Sequence, residues 1–178
     1  MLSGKHVVVT TARTEEMLTT GGDKITNFFS GRQGQAIARA FADMGALVTV
    51  ISGPTHLPDV DHPNVSTVHV QSAQGMFGAS QEILNNQSVD AFIGAAAIAD
   101  FGMKTPADIQ LNPGELHTLN LQETPNTIGG AAKHEKRPQV VVSFAAQSPE
   151  TIVKYATQKF QKLGVDLTVA NPIGDSTI

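Results

Sequence analysis

Short β-branched runs alternate with amphipathic stretches along this chain. Residues 6–10 (His-Val-Val-Val-Thr) form a compact apolar run of the kind a buried parallel strand shows. Residues 11–30 are polar and read as a long loop. From 33 to 44 the period changes: Ala36, Ile37, Ala40, Phe41 and Met44 fall on one helical face, and Gly45 stands where that helix should stop. Residues 47–51 read as a second strand closed by Ser52-Gly53-Pro54, and 65–70 alternate like a strand nearer an edge. A helix weakened by Gly75 and Gly78 is expected over 73–84, and a buried strand over 89–94. Residues 101–114 are irregular, and 116–121 alternate like a strand. Pro125 opens a short helix in which Gly129-Gly130 reads as a bend. Residues 140–142, 149–163 and 167–169 then read as strand, helix and strand.

This alternation predicts an α/β fold: a three-layer α/β/α, Rossmann-like, mostly parallel doubly wound sheet in a single domain spanning residues 1–178. Ligands in such sheets bind at the carboxyl ends of the strands, near the point where the strand order reverses. Those ends are Thr10-Thr11, Ser52-Gly53, residues 95–100, residues 143–147 and Ala170-Asn171, all small or polar apart from Ile98 and Phe144.

Composition narrows the partners. The formal charge of −4 and the lack of any basic run beyond residues 133–137 (Lys-His-Glu-Lys-Arg), which Glu135 interrupts, argue against nucleic acid. Zero cysteines exclude disulfides and thiolate chemistry, which fits a cytoplasmic protein. No apolar run has the ~18 residues of a membrane span, and the N-terminus lacks the apolar region of a signal peptide. Asp59, Asp61 and His62 lack metal-site spacing and read as a solvated loop, so no metal-ligand set is assigned.

The segment with the most chemistry is residues 25–34, Ile-Thr-Asn-Phe-Phe-Ser-Gly-Arg-Gln-Gly, between the first strand and first helix. Ser30, Gly31 and Gly34 would let backbone N–H groups approach a phosphate at a helix start, and Asn27 adds a donor and an acceptor. A nicotinamide site would instead place G-x-G-x-x-G directly after the first strand and an acidic residue after the second. This chain has neither, although Tyr155 and Lys159 reproduce the Tyr-x-x-x-Lys spacing of a short-chain dehydrogenase.

Together these residues resemble the phosphopantothenoylcysteine synthetase domain, the second half of the bacterial bifunctional coenzyme A biosynthesis flavoprotein. The resemblance runs through residues 2–10, 25–34, 48–54 (V-T-V-I-S-G-P), 95–101 (A-A-A-I-A-D-F), Phe144-Ala145-Ala146 and 166–171 (D-L-T-V-A-N), in order along nearly the whole chain. It implies a ligase that activates the carboxylate of 4′-phosphopantothenate with CTP, or alternatively ATP, together with Mg²⁺. The resulting acyl-nucleotidylate is then converted to the amide by cysteine. It also implies a homodimer, with residues 116–121 as the candidate pairing strand, and a phosphopantothenoylcysteine decarboxylase domain or subunit as partner.

Residue by residue, the resemblance assigns Asn27 to the charge developing on the anhydride carbonyl. Ser30, Gly31, Gly34, Ala95, Ala96 and Ala97 go to the nucleotide, and Asp100 to its base or ribose. Phe144 would pack on the nucleotide, Lys159 would contact it, and Asn171 would lie by the phosphates. The chain departs from the family in its first loop, where two glycines become Ala12 and Arg13; strain is expected at Arg13, whose Cβ enters left-handed backbone less cheaply than glycine. It departs again where the lysine-rich flap aligns with residues 108–111, leaving Lys104 as the second candidate catalytic residue. Thr124-Pro125-Asn126-Thr127, Gln147 and Leu163 also differ from the family's residues, and the family continues past the last matched strand, whereas this sequence ends at Ile178. These departures imply, as an alternative, a divergent nucleotide-binding paralogue or partner subunit with weak catalysis.

Overall fold

Val7, Val8 and Val9 are all buried, so the first strand is covered on both faces. The computed structural model describes residues 1–173. In chain order it holds β1 (His6–Thr11), β2 (Glu15–Met17), β3 (Lys24–Thr26), α1 (Arg32–Asp43), β4 (Leu47–Ser52) and β5 (Val65–His69). There follow α2 (Ala73–Asn86), β6 (Ala91–Gly94), β7 (Phe101–Gly102), β8 (Gln122–Glu123), α3 (Thr127–Ala132), β9 (Val140–Gln147), α4 (Ile152–Leu163) and β10 (Leu167–Pro172).

Six strands form one sheet in the order β10-β9-β6-β1-β4-β5, and every neighbouring pair is parallel. The chain leaves β1 toward β4 and β5, then returns to β6 on the other side of β1 and continues to β9 and β10. The order therefore reverses between β1 and β6. Alternation along the strands splits the core by face. Val7, Val9, Val48 and Val50 pack on Ala38 and Ala42 of α1. Val8, Ile51, Phe92 and Val141 pack on Met76, Leu84 and Ile128 of α2 and α3. Burying side chains of this size stabilises the fold by about 1.5–3 kcal/mol each. The three-layer, doubly wound expectation is what the structure has.

Two expectations fail locally. Residues 11–30 are not all loop: Glu15–Met17 pairs antiparallel with Lys24–Thr26. The turn is closed by Thr19 Oγ1 donating to Asp23 Oδ2 at 2.6 Å and by Leu18 N donating to Asp23 O at 2.7 Å. Strands of three residues are too short to show a period of two. Residues 116–121 form no strand, and Leu116 is almost fully exposed. Pairing begins later, where Gln122–Glu123 meets Phe101–Gly102. Alternation without a backbone partner does not make a ladder. Among the described residues no helix is long and apolar enough to cross a membrane.

Candidate functional site

The carboxyl end of β1 makes an abrupt turn. Ala12 has φ 64°, the only positive φ among the described non-glycine residues, and it is buried. The strain expected at Arg13 therefore falls on Ala12, at a cost of roughly 1–2 kcal/mol. Gly31 precedes α1 with φ 87° and lies against Ala12. Thr11 Oγ1 donates to Gly31 O at 2.9 Å, tying the loop back to β1. Gly34 answers a different need: a Cβ there would land on the Thr11 side chain, so glycine is what lets α1 press on β1.

No side chain caps α1, and its first turn holds no acidic residue. Ser30 Oγ accepts weakly from Arg32 N, at 3.4 Å. An uncapped helix start with a left-handed glycine beside it leaves N–H groups and a positive dipole end for an anion.

Beyond β6 the chain runs alongside the turn after β1. Ala95 N donates to Thr10 O at 3.1 Å and Ala97 N to Ala12 O at 2.7 Å, while Ala96 N reaches Thr10 Oγ1 at 3.4 Å. The N–H groups of Ala95, Ala96 and Ala97 are thus committed to the fold, and a ligand here would meet carbonyls and methyls instead. Ala97 O accepts from Thr14 N at 3.2 Å and from Asn27 Nδ2, also at 3.2 Å. This fixes the Asn27 carboxamide on the strand end where the strand order reverses, with no other hydrogen bond to its side chain among the described residues.

Three further candidates meet at the ends of β6 and β9. Lys159 Nζ donates to Phe144 O at 2.6 Å. Burial pushes its pKa below the usual lysine range, and the nearby Asp100 carboxylate pulls it part of the way back. The half-buried ammonium is therefore held on a carbonyl, within the field of a carboxylate. Asp100 itself is exposed, and its carboxylate makes no hydrogen bond or ion pair among the described residues. On β10, Asn171 Nδ2 donates to Gln33 Oε1 at 3.1 Å, which links the last strand to the first turn of α1. Lys104 stands apart: it is exposed and has no hydrogen-bonding partner among the described residues. The segment carrying it is docked instead through Ala107, whose O accepts from Thr20 N at 3.0 Å.

The dehydrogenase geometry does not form. Lys159 is engaged with Phe144, and Tyr155 is exposed with its hydroxyl unbonded among the described residues. No three acidic or histidine side chains gather as a metal cluster among the described residues; Asp59 pairs with His69 at 3.0 Å and His62 with Asp43 at 3.5 Å. A magnesium ion of a nucleotide site would arrive with the phosphates it coordinates, needing a protein carboxylate or two at most.

Sequence reasoning missed the hairpin carboxylates. Glu15 is buried, with Lys24 Nζ donating to its Oε2 at 2.7 Å and Arg13 Nε 3.7 Å from its Oε1. The Lys24 hydrogen bond outweighs desolvation and holds the Glu15 pKa below the usual carboxylate range. Glu16 Oε1 accepts from Ala73 N at 2.7 Å, at the start of α2. The sequence signal was slight: two adjacent carboxylates before a Gly-Gly-Asp turn.

Comparison with known proteins places this geometry among relatives. Residues 2–178 match the family model described as the DNA/pantothenate metabolism flavoprotein C-terminal domain. The coenzyme A biosynthesis bifunctional protein CoaBC of Vibrio vulnificus is 34% identical over 176 residues, 97% of this chain and 42% of that protein. The chain thus spans less than half the length of the curated relatives it matches. A crystal structure of the C-terminal domain of a CoaBC bifunctional protein superposes with TM-score 0.77 at 32% identity, covering 96% of this chain and 78% of that one. A Cab2 mutant in complex with phosphopantothenate-cysteine shares the fold, with TM-score 0.81 at 16% identity over 95% of this chain and 73% of that one.

Proposed function

The chain belongs to the DNA/pantothenate metabolism flavoprotein C-terminal domain family, and from that premise we propose that it is a phosphopantothenate–cysteine ligase module of coenzyme A biosynthesis. A nucleoside triphosphate, CTP or alternatively ATP, takes attack from the carboxylate of 4′-phosphopantothenate on its α-phosphorus. Pyrophosphate leaves, and the cysteine amine then displaces the nucleoside monophosphate to give the amide. The observation that carries this reading is the grouping of Lys159, Phe144 and Asp100 at the ends of β6 and β9. It offers a cation for phosphate, held by a strand-end carbonyl, and a carboxylate suited to a base or ribose.

Each residue has work that its surroundings support. The N-terminus of α1, with Ser30 and Gly31, receives phosphate charge. Gly34 serves indirectly, by allowing the close packing that brings this helix start to β1. Asn27, held by Ala97 O, keeps an N–H for the oxygen that becomes anionic as the amine attacks. Asn171 steadies the first turn of α1 through Gln33. Mg²⁺ would neutralise the triphosphate. Lys104 would have to swing inward to reach it. The working form would be a homodimer in the cytoplasm, acting with a phosphopantothenoylcysteine decarboxylase domain or subunit.

A second reading, a nucleotide-binding relative with weak catalysis, is favoured by the isolation of Lys104. One assay separates the two: incubate the chain with CTP or ATP, 4′-phosphopantothenate, cysteine and Mg²⁺, and follow pyrophosphate and the amide by mass. An active ligase releases both, and Asn27→Ala, with nucleotide still bound, slows amide formation about 10²–10³-fold. Nucleotide binding without pyrophosphate would move the assignment to the second reading. Turnover unaffected by Lys104→Ala would remove that lysine from the mechanism.

A further inference from the structure

We propose that Arg13 is an anion-binding residue of this cleft, receiving a phosphoryl or pyrophosphoryl group of the substrates; the identity of those substrates rests on the ligase reading above. Arg13 follows Ala12 directly at the end of β1, and its backbone is clamped on two sides. Across from it, Arg13 bridges Ala97 in parallel register. From the β4 side, a Cβ on Gly53 would fall on the Arg13 carbonyl, so the two backbones touch where no side chain fits. The position of the Arg13 Cα is therefore set by the sheet, as a binding residue on a rigid element should be.

The side chain is 21% exposed. Its Nε is buried without a hydrogen-bond partner, and none of its other N–H groups donates a hydrogen bond to another described residue. Its one ionic neighbour among the described residues, Glu15, stands 3.7 Å from Nε, beyond hydrogen-bonding range, while the other oxygen of that carboxylate is bonded by Lys24 at 2.7 Å. Lys24 therefore does most of the neutralising of Glu15, and the Arg13 fork of five donors remains largely unspent. The buried, unpartnered Nε carries a cost unless something completes it. The group that matches its planar fork is a phosphate or carboxylate. Asn27 is anchored on Ala97 as well, the residue that the Arg13 backbone bridges. Arg13 and Asn27 thus both flank Ala97 at the point where the strand order reverses, and phosphate is the anion that both proposed substrates carry.

The test is isothermal titration of the 178-residue chain with three probes: inorganic pyrophosphate, CTP and 4′-phosphopantothenate. It compares the parent with Arg13→Ala and Arg13→Lys, after far-UV circular dichroism shows each variant folded. Arg13→Ala should weaken pyrophosphate at least tenfold, and Arg13→Lys should recover part of the loss, which a purely structural arginine would not do. Loss on the CTP arm assigns the contact to the nucleotide, and loss on the phosphopantothenate arm assigns it to the acid. Pyrophosphate binding that depends on Arg13, with neither substrate bound, would sink the ligase reading and keep this one. Binding of all three probes unchanged in a folded Arg13→Ala, or no pyrophosphate binding by the parent, would overturn this one.

Discussion

Gly34 in the first turn of α1 lies so close to Thr11, at the end of β1, that a single added methyl group would overlap the Thr11 side chain. The helix start and the strand end are therefore held at backbone contact, and the loop between them must close over a very short span. We expect Gly34→Ala to lower the unfolding free energy by about 3 kcal/mol, the upper range for overpacking. Trimming Thr11 in the same chain should return part of that loss. Urea unfolding of the single and double variants measures this coupling, and additive effects would show that the contact is not the cause.

Ala12 carries the opposite prediction. At φ 64° its Cβ is strained, yet its methyl is buried. Relief of the left-handed strain, about 1–2 kcal/mol, outweighs the loss of about 0.8 kcal/mol for one buried carbon. Ala12→Gly should therefore be neutral or stabilising by up to about 1 kcal/mol, where the same change inside α1 would cost that much. A loss above about 1 kcal/mol in the same urea measurement would contradict the strain.

Glu15 links the hairpin to acid stability. Its folded pKa is lowered, chiefly by the Lys24 hydrogen bond. The stability it contributes is thus present above the ordinary value of 4.5 and lost as pH falls through the folded value. Glu15→Gln should cost about 1.5–3 kcal/mol at neutral pH and flatten the decline in melting temperature below pH 4.5. A variant whose acid profile matches that of the parent would refute the pairing.

Lys159 gives two pH effects of opposite sign. Its folded pKa is lowered, first by burial and despite Asp100. Across the window from that value up to the ordinary 10.5, the unfolded chain binds more protons, so this residue's contribution to stability rises with pH. Nucleotide affinity should fall over the same window, because the anion needs the ammonium. Lys159→Arg, which stays charged, should hold its affinity flat there. An affinity falling equally in both proteins would place the titration elsewhere.

Much of this was legible in the sequence. Runs such as residues 6–10 and 47–51 announced buried parallel strands, because a strand covered on both faces must be apolar at every position. The 33–44 face announced α1, because helical spacing is local. Asn27, Asp100, Phe144, Lys159 and Asn171 were singled out by motif. What sequence could not decide is who meets whom: that Lys159 bonds Phe144, that Asn171 reaches Gln33 across 138 positions, and that Lys104 meets none of them. Nor could it tell that Ala12 rather than Arg13 takes the left-handed turn, or that Arg13 keeps its donors unspent beside Glu15. Period and composition are set by each residue's own exposure and neighbours along the chain. Strain, desolvation and hydrogen-bond partners are set by whichever distant backbone the closed sheet brings within about 3 Å, and that is decided only when the whole chain has folded.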